Sequence, residues 1–500
     1  MARSALQDRG RRRRTEIGRA SEAAISVTVA APPDSTELAS LAGSARYLEV
    51  RADLAGDLDA GFLRGGFGGG LVYSLRSAVR GGHSESSIGE RRRRLIAAAE
   101  AYDLVDLEYP HDLAAGLLER IPPGRRRISW QGPAADAPAL KARFERMAET
   151  PARLYLLAPA AESIADGLAP LRLLGSLART DVTAFATGQA GTWSRLLAPR
   201  LGARVVYGRL RESTEAGPPT VDRLSADYGL PMMGPLRDLY GIVGGSVARS
   251  LAPRIYNKGF RALGLPALCL PFSTAEFDVF WSELVERGLA ELGVALHGLT
   301  VVTPHKERAL ATATLATDRA REAGAANSLV RAGQAWQGAT TTTVVAPLAR
   351  AGIDPAGRTA AVVGCGGAGR SVAVELRRRG TTVTLVNRGK PRATYASELL
   401  GLPWTPLSEF AAGAFDLIVN ATPLSAESPF DVARLAQGTA IVDLPYRTDG
   451  DTALVAAARH RGLTAVDGRA VLATETGGQF ELMTGRPMPS DAVGIACDAG

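Results

Sequence analysis

The sequence predicts an α/β protein in two halves, and three observations carry that expectation. Eight short apolar strands, each followed by a helical pattern or connection, fill the stretch from Ala23 to about Leu210. A Pro/Gly-rich segment follows (Pro218, Pro219, Pro231, Gly234, Pro235), after which the alternation starts again. Late in the chain the apolar run Ala360–Val363 turns into Gly364-Cys365-Gly366-Gly367-Ala368-Gly369. Together they predict a (β/α)8 barrel followed by a two-domain α/β unit whose second domain is of Rossmann type.

Bulk properties set the frame. The chain has 500 residues, too many for one core, so several domains are expected. At 46% hydrophobic and 22% charged, the composition is that of a globular chain. The cysteines Cys269, Cys365 and Cys497 are far apart, with no disulfide or zinc spacing, so no metal site is read and a cytoplasmic location is the simplest. No apolar run reaches the ~18 residues that span a membrane. The net charge of +7 is concentrated in part in the Gly/Arg run Gly10–Arg14, inside a polar stretch with no apolar pattern. That stretch reads as a disordered tail or an upstream extension, with an import signal or a nucleic-acid arm as the alternatives. Only four of the 58 basic side chains are lysines (Lys141, Lys258, Lys306, Lys390), which limits where lysine chemistry can reside.

The barrel strands are read at Ser26–Val29, Tyr47–Arg51, Leu71–Arg76, Leu104–Tyr109, Arg127–Trp130, Arg153–Ala158, Val182–Thr187 and Ala203–Leu210. Barrel sites lie at the C-terminal strand ends. Glu49, Arg51, Asp53, Arg76, Asp106 and Glu108 stand there, with Arg195 at a helix start. Such charges emerging from apolar strands suit an anionic, polyhydroxylated ligand or mutual ion pairing. Lys141 falls in the amphipathic pattern Leu140–Glu145 and is placed on its solvated face.

In the second half the glycine loop is the strongest local signal. Gly364 permits a tight turn, Gly366 lets backbone approach a pyrophosphate, and Gly369 allows close helix–strand packing. Gly367 and Ala368 open a helix whose free N–H groups face phosphate. A second strand, Thr381–Val386, ends at Asn387-Arg388, and the nearby Lys390 and Arg392 favour a 2′-phosphate, hence NADP. Ser250 stands at the N-cap position of a helix opening Ser250–Asn257.

Tyr47–Leu54, Ser74–Arg76 with Gly81-Gly82, Asp103–Glu108 and Trp193–Gly202 resemble type I 3-dehydroquinate dehydratase, in order and across the whole first half. The resemblance implies substrate contacts from Glu49, Arg51, Arg76 and Arg195. It also implies Schiff-base chemistry by a lysine, with a histidine oriented by a glutamate. This chain has Leu156 at the lysine position, Gln131 at the histidine and Arg80 at the glutamate; Pro218 stands for a late glutamine, with Ser213 or Thr214 left to contact substrate. A Schiff base requires a primary amine.

From Tyr240 to about Pro487 the motifs Gly298–Lys306, Gly324–Leu329, Gly338–Thr343, the glycine loop and Asp416–Pro423 resemble shikimate dehydrogenase. The tandem resembles the bifunctional dehydratase–shikimate dehydrogenase arrangement. The resemblance implies Lys306 as the catalytic acid–base, and Ser250, Thr300, Asn327, Thr342, Tyr446 and Glu475 at the substrate. Cofactor contacts are implied at Gly364, Gly366, Gly367, Ala368, Gly369, Asn387, Arg388, Arg392, Asn420 and Thr422. Thr342 stands where the family has its aspartate, Thr340 its asparagine, Ala252 a serine, Val302 a threonine, Glu475 a glutamine and Gly389 a threonine.

These readings divide the chain into a tail over 1–22, a barrel over 23–222, a linker over 223–237, a substrate domain over 238–347, an NADP domain over 348–470, and over 471–500 a C-terminal helix returning to the substrate domain plus a tail. Three functions fit. One is a shikimate-pathway bifunctional enzyme; another is an NADP-dependent oxidoreductase for a related cyclic hydroxy acid or ketone, without dehydratase chemistry. The third is a non-catalytic ligand- or cofactor-binding protein. The partner in each is a small molecule rather than nucleic acid or membrane, and the sequence leaves the oligomeric state open.

Overall fold

The structure, a computed structural model, describes residues 20–177, 179–213, 217–447 and 449–498. The Gly10–Arg14 run and Thr214 lie outside the described residues. Among the described residues no helix is long and apolar enough to cross a membrane. The chain divides into two compact units. The first runs through Leu239 and also holds Ser246–Arg249 and Pro266–Ala295; the second holds Tyr240–Gly245, Ser250–Leu265 and the chain from Leu296 onward.

In the first unit, β1 (Ser21–Glu22) pairs antiparallel with β10 (Met232–Met233). These are residues the sequence reading gives to the tail and the linker. Eight strands follow β1 and form one sheet: β2 (Ala24–Val29), β3 (Tyr47–Arg51), β4 (Gly70–Ser74), β5 (Leu104–Glu108), β6 (Arg126–Gly132), β7 (Leu154–Pro159), β8 (Val182–Ala184) and β9 (Val205–Arg209). Their order is β8-β7-β6-β5-β4-β3-β2-β9, and the ladders are parallel. Chain neighbours are sheet neighbours, and β9 returns to β2, as a barrel winding requires. Between β8 and β9 the described residues form no ladder; Thr183 Oγ1 donates to the Val205 carbonyl at 3.4 Å across that seam, so the barrel is nearly closed. Tyr47, Val72, Leu104, Leu156, Phe185, Val205 and Tyr207 form one buried cluster within it.

The helices follow from their patterns. In Ala137–Ala148, Asp136 caps the first turn, Leu140, Phe144 and Met147 are buried, and Lys141 sits outside, 3.9 Å from Glu145. Pro266–Ala295 packs within this unit, with β12 (Ala267–Ser273) and the π-helical Phe280–Gly288. Phe272 lies 5.9 Å from Trp193 and 5.3 Å from Phe280, centroid to centroid, and Leu168 fills the space beside Gly288.

The second unit contains two sheets. Five strands of its first, six-stranded sheet run in the order β11 (Asp238–Gly244), β13 (Ala295–Val301), β15 (Ser328–Ala332), β16 (Ala335–Ala339) and β14 (Leu315–Ala316). β15 runs antiparallel to both β13 and β16, and β14 is parallel to β16. The second sheet is parallel throughout: β19 (Trp404–Pro406), β18 (Thr382–Asn387), β17 (Thr359–Val363), β20 (Leu417–Asn420), β21 (Ala440–Asp443) and β22 (Ala465–Val466). Val362, Leu385, Val419 and Val442 face one buried cluster, while Ala361, Val386, Ile418 and Ile441 face another. This period of two explains why the strands read as continuous apolar runs. The strand order reverses between β17 and β20, and such a switch point opens a ligand crevice at the carboxyl ends.

Candidate functional site

The crevice at the switch point is built by the glycine loop and the turn after β20. Gly364 has φ +106°, a conformation that favours glycine, and a Cβ there would lie 3.0 Å from the Ala421 carbonyl. A Cβ at Gly369 would lie 1.9 Å from the Gly364 oxygen, so the helix Gly367–Arg378 starts hard against the strand. Gly366 has open space, and with Gly367 and Ala368 it leaves the helix N-terminus half-exposed. Asn387 Oδ1 accepts from the Cys365 N–H at 3.2 Å, tying the end of β18 to the loop. Arg388 and Arg392 are exposed. The donor set therefore fits a dinucleotide: free N–H groups for pyrophosphate and two guanidiniums beside the end of the second strand.

Asn420 and Thr422 act on the shape of this crevice. Asn420 is fully buried, and its amide donates to Asp443 Oδ1 at 2.7 Å while its oxygen accepts from the Thr422 N–H at 3.0 Å. The Thr452 hydroxyl bonds the other Asp443 oxygen. Burial raises the Asp443 carboxyl to about 6, against the pull of Thr452 and Asn420.

Lys306 opens the helix Lys306–Thr312 directly beside the loop. A Cβ at Gly367 would lie 3.1 Å from its Cβ and 3.3 Å from its Cδ, so the lysine stem lies where that side chain would be. Its ammonium makes no ion pair among the described residues. Arg370, which the sequence reading passed over, stiffens this junction. It is fully buried and donates to the carbonyls of Ala323 at 2.8 Å and Cys365 at 3.1 Å, and to Glu307 Oε1 at 2.7 Å. Its signal was an arginine on the apolar face of a helix.

Thr342 and Glu475 converge on Asn327. Its Oδ1 accepts from the Thr341 N–H at 3.0 Å and the Ser328 hydroxyl at 2.9 Å. Its Nδ2 donates to Thr342 Oγ1 at 2.9 Å and Glu475 Oε1 at 2.8 Å. Burial pushes the Tyr446 hydroxyl up, opposed by a Leu251 backbone hydrogen bond and helped by the charge of Glu475. Thr300 is buried with its hydroxyl among Tyr256 at 3.0 Å and Gln479 Oε1 at 2.8 Å, in a closed network that the sequence reading did not find. Gln479 lies four residues after Glu475, on the same helix face, which was its available signal. Ser250 is not the N-cap: the helix begins at Ala252 with Leu251 as cap, and Ser250 Oγ accepts from the Ala252 N–H at 3.2 Å. Its oxygen closes a turn two residues on, and Pro253 starts the helix behind it.

The first unit gathers charges at the barrel mouth. Glu49 and Asp106 are buried on either side of Arg127, which donates to Asp106 Oδ1 at 2.8 Å and to Glu49 Oε1. Burial raises the Glu49 carboxyl, but Arg127 outweighs it and brings it down to about 2. The sequence reading took Arg127 as the start of an apolar strand. Its alternation with Ser129 and Gln131 was the missed sign that it faces inward. Arg51 is held by both oxygens of Asp53, at 2.8 and 2.7 Å. Arg76 and Arg195 have no carboxylate partner among the described residues. Arg195 stacks on Phe185 at 4.1 Å and donates to the Tyr207 carbonyl at 3.2 Å. Burial, with Arg76 nearby, brings it down to about 10. Leu156 is packed in the barrel cluster, and Arg80 reaches the Gln131 carbonyl at 3.1 Å.

Comparison with known proteins finds two modules in the chain. A type I 3-dehydroquinase model matches residues 24–233, and a shikimate dehydrogenase substrate-binding-domain model matches residues 242–329. Shikimate dehydrogenase (NADP(+)) of Acidiphilium cryptum is 38% identical over 242 residues, covering 47% of this chain and 86% of that protein. The chain belongs to the shikimate dehydrogenase family. The shikimate dehydrogenase (NADP(+)) of Rubrobacter xylanophilus is likewise 38% identical, over 250 residues, with 47% and 86% covered. The chloroplastic bifunctional 3-dehydroquinate dehydratase/shikimate dehydrogenase of Arabidopsis thaliana is 26% identical over 458 residues, 84% of this chain and 74% of that protein. The two modules follow one another as in that protein, so the chain has the bifunctional type I 3-dehydroquinase/shikimate dehydrogenase architecture.

Proposed function

We propose that the second unit is an NADPH-dependent reductase of a cyclic ketone related to 3-dehydroshikimate, and that the barrel binds an anionic ligand without dehydrating it. The observation that supports the first part most is Lys306 lying against Gly367, with the Asn327 cluster on the strand beside it. The Ala326 N–H donates to the Lys306 carbonyl at 2.9 Å, so the lysine and Asn327 are held one residue apart. A bound NADPH supplies hydride; Gly366, Gly367, Ala368, Asn387, Arg388 and Arg392 are the residues that would hold it. Lys306 gives the proton to the ketone oxygen in reduction and takes it back in the reverse direction. Such general acid–base help contributes about 10²–10⁴ in rate. Thr342, in place of a carboxylate, leaves the lysine without an adjacent anion from that loop.

The barrel reading rests on Leu156 and Arg127. A Schiff base needs a primary amine, and Leu156 offers none, while the interior charge is spent in the Glu49–Arg127–Asp106 pairs. Arg76 and Arg195 remain to meet an anion.

NADPH and NADH titrations, followed by a panel of cyclic hydroxy acids and alcohols with NADP+, test the first part. The expected result is tighter binding of NADPH than of NADH, with turnover. Cofactor binding without turnover would instead favour the non-catalytic reading, which the missing carboxylate at Thr342 supports. For the barrel, borohydride treatment with 3-dehydroquinate is expected to leave the protein mass unchanged, and a trapped adduct would overturn that part.

A further inference from the structure

The C-terminal helix Gly468–Thr484 delivers one carboxylate into the cluster around Asn327. The orientation of the Asn327 amide is settled by its partners: three donors, from Ser328, Thr341 N and Thr341 Oγ1, occupy Oδ1. Its Nδ2 is therefore the donor shared between Thr342 Oγ1 and Glu475 Oε1. Because one nitrogen holds both, the Glu475 carboxylate lies in the same small space as the side chain of residue 342. Glu475 is half-buried, and its second oxygen, Oε2, takes no hydrogen bond from the described residues.

The charge is felt around it. Glu475 is the smallest of the influences on the half-buried Arg319, after burial, Glu375 and Arg378, and on Tyr446, after burial and the Leu251 backbone hydrogen bond. Arg319 does not neutralise it by contact: its guanidinium donates to the Thr342 carbonyl and lies 3.5 Å from Glu375. A free carboxylate oxygen accepts hydrogen bonds and donates none, so what it recognises is a donor, and on a cyclic polyol or ketone the donors are hydroxyls. Beside it, an anionic group on the ligand meets like-charge repulsion.

We propose that Glu475 is the specificity-determining residue of the reductase site: its Oε2 receives a ligand hydroxyl, and its charge selects an uncharged polyhydroxylated cyclic ketone or alcohol over one that carries a carboxylate. This rests on the oxidoreductase reading above and names its substrate class. The Glu475–Asn327 bond holds the carboxylate in place, and Thr342 supplies a second, neutral hydroxyl contact.

The test compares shikimate with its methyl ester, which keeps the ring hydroxyls and removes the charge. Calorimetric Kd values are measured on the full chain saturated with NADP+, for the wild type and for Glu475→Gln. The wild type is expected to bind the ester at least tenfold tighter than shikimate. Glu475→Gln is expected to tighten shikimate binding at least tenfold and to erase the preference. Equal affinities in the wild type, a ratio unchanged by the substitution, or no ester binding at millimolar concentration would each overturn the proposal. Should Glu475→Gln fail to fold, the wild-type ratio alone decides. These are binding readouts, so they stand apart from failure of the oxidoreductase reading, which would show as absence of Lys306-dependent turnover.

Discussion

Lys306 lies against Gly367: a Cβ on that glycine would approach the lysine Cβ to 3.1 Å and the Ala325 Cβ to 2.9 Å. A residue of the first sheet's connection and a residue of the nucleotide loop thus occupy one shared space, and the loop can pack there because position 367 carries no side chain. Gly367→Ala is expected to push the lysine stem and the loop apart. We expect kcat/KM to fall about tenfold or more, about 1.4 kcal/mol of transition-state stabilisation, with a weaker NADPH Kd by fluorescence titration. An unchanged Kd and rate would mean that the contact does not position either group.

Arg127 holds two buried carboxylates. Arg127→Met removes the cation and leaves Glu49 and Asp106 uncompensated, which is expected to cost about 3–5 kcal/mol in urea unfolding. The wild-type pair also sets an acid limit. Glu49 is lowered to about 2 in the folded chain, so its contribution is present above the unfolded value of ~4.3 and is lost as pH falls towards about 2. In Arg127→Met, destabilisation by acid from this source should vanish from a pH series of melts.

Asp443 has the opposite sign. Burial raises it to about 6, so the stability it contributes is complete below the unfolded value of ~3.9 and is lost as pH rises through about 6. Asp443→Asn keeps the side-chain shape and removes the titration. The expected outcome is a flatter stability profile between pH 4 and 7 than that of the wild type. A profile parallel to the wild type would place the titration elsewhere.

Arg195 is the barrel group most dependent on a ligand. It is buried without a carboxylate partner, stacked on Phe185 and near Arg76. Arg195→Met is expected to weaken binding of a cyclic carboxylate such as 3-dehydroquinate to the barrel by at least tenfold, measured by calorimetry, while leaving NADPH affinity in the second unit unchanged. Undiminished binding would show that the barrel mouth is filled by its own ion pairs alone.

The strands and the glycine loop were legible because their signals are local. Strand faces repeat every two residues, and Gly364 and Gly369 are required by a backbone turn and a close approach within six positions. What was hidden depended on distant partners. Arg127 reads as a strand residue until Asp106 on the neighbouring β5 and Glu49 on β3 are placed, and the partners of Arg370, Ala323 and Glu307, lie far from it in the sequence. The Thr300–Tyr256–Gln479 network joins three elements that no spacing links.

The most direct measurement is the initial rate of NADP+ reduction with cyclic alcohols and hydroxy acids, for the wild type and Lys306→Ala, with the NADPH Kd determined on both proteins. Turnover by the wild type, reduced at least a hundredfold in Lys306→Ala with the cofactor Kd unchanged, is the predicted result. Turnover that survives the substitution, or cofactor binding with no turnover of any compound, would contradict the assignment of Lys306 as the proton donor of a working reductase.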